Sequence, residues 1–292
     1  MTWSGRGVAE AAPRFVSLGK VEFVSGAFLV GERETEPITL SALEFDVLWE
    51  HLRLGQLPLV VKVPSPGKTF EERARIEQEV WADLEGRGLG RPVEVNPEIE
   101  DILTVLAKPD REVDARAYAH RHVRVLAAAT GELAGVAELC DGQVTLRRAS
   151  ATGLPGAALA VLPALGPGPG ASVTLRTTDF EASANAATSR EEFQHALLSN
   201  GVRADDAATL ADMIKDVSAM GNFGAAARDK FGRRRRAERV VSFFDTEDGR
   251  YVQIRRPSPD GTLWTTISPA DQRNLTHHVE EMLDEIVQEA GT

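Results

Sequence analysis

The sequence is short of several things that small stable folds and catalytic sites depend on. It holds one cysteine, Cys140, in 292 residues. No internal disulfide can form, which fits a reducing compartment. Aromatic residues make up only 6% of the chain, and basic residues are outnumbered by acidic ones, 33 against 44, for a formal charge of −11. The deficit is shared: residues 1–150 carry 18 basic and 24 acidic side chains, and residues 151–292 carry 15 and 20. An evenly acidic surface repels phosphate backbones and argues against nucleic acid as a main partner. Long apolar runs are missing too. The longest weakly polar stretch, Leu154 to Leu165, is broken by Pro155, Gly156 and Pro163, well short of the roughly 20 residues that span a bilayer. Met1 to Ala12 has no apolar core and is not read as a signal peptide. The expectation is a cytoplasmic protein without direct membrane insertion.

Catalytic and ligand signatures are equally sparse. There is no Gly-x-Ser-x-Gly elbow and no His-Glu-x-x-His helix. Gly67-Lys68-Thr69 follows a strand-like segment, Leu57–Val63, and precedes a helix, the layout of a phosphate loop. The first glycine of that motif is replaced by Lys62, and Pro64 and Pro66 remove backbone donors, so Thr69 is expected to cap a helix instead. Gly86, Gly88 and Gly90 end a helix rather than open one. His120 and His122 alternate on a strand beside Arg121 and Arg124, where a dication is unwelcome, and no second pair supports them. No catalytic residue, metal or cofactor is expected, and the chain is read as a non-enzyme.

What the sequence does contain is a repeat. Glu112–Tyr118, His122–Ala129, Leu133–Leu139 and Gln143–Arg148 have strand character, with turns at Thr130-Gly131-Glu132 and Asp141-Gly142 and a short helix over Pro155–Leu162. Phe223–Lys230, Arg239–Phe244, Tyr251–Arg256 and Leu263–Ile267 repeat the pattern, with turns at Glu247-Asp248-Gly249 and Asp260-Gly261. A closing helix follows, capped by Ser268 with Pro269 in its first turn, and buries Leu275, Val279, Met282, Leu283 and Ile286. Helical stripes precede each meander: Phe45, Leu48, Trp49 and Leu52; Ile76, Val80, Trp81 and Leu84; Ile99, Ile102, Leu103 and Leu106; then Phe193 and Leu197; and Leu210, Met213, Ile214 and Val217. Gly166-Pro-Gly-Pro-Gly170 reads as a linker. The fold class is therefore α+β, with two pseudo-symmetric halves, 1–165 and 171–292. Each has helices plus an antiparallel β-meander, and the halves share a central sheet in one domain.

Particular residues then resemble a known family. Leu40-Ser-Ala-Leu-Glu-Phe-Asp-Val-Leu-Trp-Glu-His-Leu52 and the loop Pro64–Thr69 are similar to the first helix and following loop of EspG proteins, the cytosolic chaperones of type VII (ESX) secretion in actinobacteria. The more specific likeness is C-terminal: Phe223-Gly-Ala-Ala-Ala-Arg228, the arginine run, Val240-Val-Ser-Phe-Phe-Asp-Thr246, Gly249-Arg-Tyr251, Arg255-Arg-Pro257, Asp260-Gly261 and Trp264–Asp271. The resemblance implies a fold of two α+β halves on one sheet and a non-enzymatic role. Its implied partners are a PE–PPE-like heterodimer or a WXG-type protein, kept soluble for export, and the secretion machinery.

Carried onto this chain, the resemblance places the cargo surface on Leu210–Phe223 and the strands after it, with Met213, Met220 and Phe223 as candidate contacts. Arg233, Arg234, Arg235 and Arg236, inside a cluster from Arg228 to Arg239, would face an acidic cargo rim or simply charge an exposed hairpin tip. A monomer or weak homodimer is expected. Two other functions stay open at this point: a small-molecule site or enzyme in the cleft between the halves, near Lys68 or His122, and a nucleic-acid module using Arg228–Arg239.

Overall fold

A computed structural model describes residues 36–291; the stretch Met1–Ala12 lies outside them. The first half begins with an edge strand, β1 (Ile38–Ser41), and α1 (Ala42–His51). A single 3-10 turn (Leu59–Val61) leads to α2 (Phe70–Gly86), a small hairpin of β2 (Gly90–Arg91) and β3 (Glu94–Val95), and α3 (Pro97–Ala107). The meander follows as β4 (Arg111–Ala119), β5 (Arg121–Thr130), β6 (Leu133–Cys140) and β7 (Gln143–Arg148), closed by α4 (Leu154–Leu159). The second half runs β8 (Val173–Arg176), three helices α5 (Thr177–Ala186), α6 (Arg190–Ser199) and α7 (Ala204–Met213), then β9 (Ala219–Arg228), β10 (Arg234–Arg236), β11 (Val241–Thr246), β12 (Gly249–Pro257), β13 (Leu263–Pro269) and α8 (Gln272–Gly291).

Local chemistry explains the boundaries. Ser41 and Thr69 each accept from the backbone of the third helical residue while Glu44 and Glu72 reach back, giving α1 and α2 full capping boxes. Asp141 and Gly142, with φ of 49° and 77°, make the two-residue turn between β6 and β7. Three boundary expectations are corrected. Leu57–Val63 is not a strand: Pro58 and Pro64 interrupt its ladder donors, and Val61 N–H bonds back to Pro58 instead. Ser268 and Pro269 lie in β13, paired with Val252 and Tyr251, so the cap of α8 is Asp271, which accepts from Asn274 N–H at 2.7 Å. The segment 166–170 is not a free linker, because it forms a parallel bridge to β12 between Pro167 and Arg250.

That bridge surrounds a buried guanidinium. Arg250, with 0% exposure, donates to both oxygens of Asp245 at 2.7 and 2.9 Å, to Gln272 at 3.2 Å and to the Pro163 carbonyl at 3.0 Å. Tyr251 donates its hydroxyl to the Pro169 carbonyl. Two glycines permit the approach: a Cβ on Gly249 (φ 140°) would lie 2.5 Å from the Gly168 nitrogen, and one on Gly168 would lie 2.6 Å from Tyr251 Cε2.

The sheet runs β1-β7-β6-β5-β4-β9-β11-β12-β13-β8, antiparallel throughout, and β10 pairs with the far end of β9. The meanders join at β4 and β9, in register from Arg111↔Ala227 to Tyr118↔Met220. Strand alternation gives the two faces different fates. On one, Val113, Ala115, Val125, Ala127, Phe223, Ala225 and Val241 pack beneath α4 and α8 in a continuous core. On the other, α1–α3 cover β5–β7, where Leu126, Ala128 and Leu146 are buried, and a separate cluster with α6 and α7 covers Phe244, Tyr251 and Ile267.

Candidate functional site

Between those two helical layers the middle of the sheet is left open. Its rows follow from register. Met220, Tyr118 and His122 are successive neighbours across β9, β4 and β5; Asn222, Arg116 and Arg124 form the next row; Gly224 and Asp114 the third; Ala226 and Glu112 the fourth. A groove of about 660 Å³ follows the inner rows, with Leu57, Pro58 and Leu59 on one lip and Val240 on another. Tyr118, Met220, Leu59 and Val240 are all exposed, so apolar surface is offered to solvent beside a polar floor.

The floor is organised by β10. Arg234 Nε donates to Glu112 at 2.8 Å, and Arg236 pairs through two nitrogens with the two oxygens of Asp114. Both carboxylates are buried, so the guanidiniums supply the charge compensation they need. The hydrogen bond to Asp114 holds the Arg236 guanidinium above its usual pKa against the opposing effect of burial. Gly224 provides the seat: a Cβ there would lie 2.9 Å from Arg236 Cζ and 3.1 Å from Asp114 Oδ1.

Beyond β10, the hairpin tip is locked by one carboxylate. Asp229 accepts from the backbone of Phe231 and Arg233 and from Arg233 Nε, each at 2.9 Å. Burial pushes this carboxyl up, but those bonds outweigh it and hold the group below its usual value. Phe231 stands 72% exposed, with Lys230 and Arg233 cations 5.8 and 5.1 Å from its ring centre.

The residues singled out from sequence separate accordingly. Met213 (1% exposed), the last residue of α7, packs in the core that α6 and α7 share, and Phe223 (1%) packs against Phe243, ring centres 5.8 Å apart and tilted, beneath α8. Their side chains are interior, which takes them off the candidate surface. Phe223 belongs to the face of β9 opposite Met220; two residues of odd spacing on one strand cannot share a face. Met220, at 54% exposure, is on the open face near the start of β9. Arg233, Arg234 and Arg236 are committed to Asp229, Glu112 and Asp114, and Arg234–Arg236 form a strand instead of a turn. Those pairings weaken a phosphate-binding use of the run. Arg235 is exposed. The carboxylates Glu112 and Asp114, two apart on a strand, carried no sequence signal of their own; only the register against β9 and β10 gives them partners.

A smaller hollow of about 380 Å³ gathers His120, Arg121, His122, Arg124 and Asp141. Lys68 is elsewhere, at the start of α2, where its N–H donates to Glu72. Among the described residues no group of three or more histidine, cysteine or carboxylate side chains is placed to hold a metal ion. Burial raises the Cys140 thiol pKa, with Arg121 opposing it only in part, the reverse of an activated nucleophile. No described helix is long and apolar enough to cross a membrane.

Comparisons with known proteins place this geometry. None of the curated proteins matches the sequence. Among solved structures, the chain is similar to the Mycobacterium tuberculosis type VII secretion system chaperone EspG5, determined in complex with a PE25–PPE41 dimer. The TM-score is 0.67 at 17% identity, over 85% of this chain and 96% of that one. At that identity the likeness is one of fold. The EspG family model matches residues 41–281, most of the chain. The chain belongs to the EspG family.

Proposed function

We propose that this protein is a cytosolic, non-enzymatic chaperone of type VII secretion, that its cargo is a PE–PPE-like heterodimer or WXG-type protein, and that the cargo docks on the open middle of the sheet. The observation that supports this most is the uncovered strip itself. A chain that buries both flanks of one sheet face under helices, yet leaves Met220, Tyr118 and Leu59 exposed beside a groove, carries a surface suited to a partner. The relative EspG5 was determined with a PE25–PPE41 dimer, which supplies the cargo class. Covering an aggregation-prone apolar tip lowers the free energy of the soluble cargo by mass action, and no chemistry is needed for it.

In this proposal the halves 1–165 and 171–292 are pseudo-symmetric parts of one domain. The free protein is a monomer or weak homodimer that delivers cargo to the secretion machinery. Co-expression with PE–PPE-type and WXG-type proteins of the same genome tests it. The expected result is a soluble 1:1:1 or 1:1 complex, weakened by Met220→Glu. If no such protein gains solubility or co-purifies, the proposal fails.

A further inference from the structure

The second row of the open face carries two cations with no ion-pair partner among the described residues. Arg116 and Arg124 are direct cross-strand partners of β4 and β5, so their side chains leave the same face side by side. Neither takes part in an ion pair among the described residues; Asp114 and Glu112 in the rows beside them are held by Arg236 and Arg234, and Asp141, which shares a hollow with Arg124, is paired with Arg121. Like charges directly opposite on a sheet are destabilising, and the chain as a whole is acidic by 11 charges. Uncompensated arginines facing each other at the centre of an acidic protein are what an anionic partner group would require.

We propose that Arg116 and Arg124 form a carboxylate-binding row that brackets an Asp or Glu side chain of the docked protein cargo. The adjoining row fixes what lies next to it. Tyr118 pairs with Met220 on one side and its ring lies 4.8 Å from that of His122 on the other, giving a largely apolar strip two residues along the strands. That is about 7 Å from the arginines, close to the spacing of side chains one helical turn apart. The cargo segment is thus a helix presenting an acidic residue and, one turn away, an apolar one. Planar guanidiniums suit bidentate carboxylate recognition, so Lys would be a poor replacement at either position.

This inference rests on the chaperone proposal, and the test separates the two. It uses the full chain and the PE–PPE-type or WXG-type protein that co-purifies with it. Arg116→Gln and Arg124→Gln are each expected to weaken the complex about 10- to 100-fold and to flatten its salt dependence. Arg91→Gln, a control cation paired with Glu94 in the hairpin of β2 and β3, is expected to leave affinity unchanged. In the partner-free protein each of the two row substitutions is expected to raise the thermal midpoint by about 1–3 °C at low salt, a gain erased by high salt. A complex of unchanged affinity in both row variants, or one weakened equally by Arg91→Gln, overturns the carboxylate row while the chaperone proposal stands. No complex with the wild-type chain overturns both.

Discussion

Replacing Arg250 by methionine tests the worth of the buried Arg250–Asp245 pair beside the segment 166–170. The guanidinium is wholly buried, and its removal takes both ion-pair contacts from Asp245, itself 3% exposed. Breaking a buried pair from one side costs about 3–5 kcal/mol, because the remaining charge is stranded. For a chain of this size about 2–4 °C accompanies each kcal/mol, so the midpoint is expected to fall by roughly 6–20 °C. Urea unfolding followed by far-ultraviolet circular dichroism gives the free energy directly. The same substitution removes the side-chain donor to the Pro163 carbonyl while the backbone bonds of residue 250 to Gly166 and Gly168 remain, so proteolytic nicking is expected to concentrate around Pro163. The double variant Asp245→Leu/Arg250→Met removes both charges and is expected to recover most of the loss. A loss below about 1 kcal/mol for Arg250→Met, or a double variant no better than the single, refutes the stranded-charge account.

Other outcomes follow from the same geometry. Gly168→Ala drives a methyl group into the buried Tyr251 ring and is expected to cost about 1–3 kcal/mol by the same urea assay; a neutral result would mean the segment shifts freely. The Cys140 thiol, pushed up by burial, is expected to alkylate slowly at neutral pH, with its rate half-maximal above 9.0 in a pH series with iodoacetamide. Asp229 has a depressed folded pKa, so its contribution is full above the unfolded value of 3.8 and is lost as the pH falls through the lower folded value. Amide protection at Phe231 and Arg233 is expected to vanish in that range, and at neutral pH in Asp229→Asn. Persistent protection would assign the hairpin's order to other contacts.

The meanders were legible because their turns demand particular residues: Asp141-Gly142 and the alternation on either side admit few other structures. The α-helical stripes were legible for the same kind of reason, with Ile99, Ile102, Leu103 and Leu106 all buried in α3. The edge strands β1 and β8 were not, since four residues each carry too little periodicity and form only against β7 and β13. The site was legible least. Met220 and Phe223 both look like contact residues in sequence, but strand parity sends them to opposite faces, and only the start of β9 at Ala219 fixes which is which. The arginine run looked like a free basic patch because its partners, Glu112 and Asp114, stand over a hundred residues earlier.

The junction of β4 with β9 also bears on how the protein is made. Strand β4 has β5 on one side, and its other neighbour is β9, which begins 100 residues after β4 ends, from Ala119 to Ala219. At ribosomal speeds of about 5–20 residues per second, the first meander waits roughly 5–20 seconds with an unpaired inner edge. An edge of that kind invites pairing with another nascent chain. Synthesis rate across 120–219, and general chaperones acting during that interval, should therefore govern the yield of soluble protein more than the stability of the finished fold.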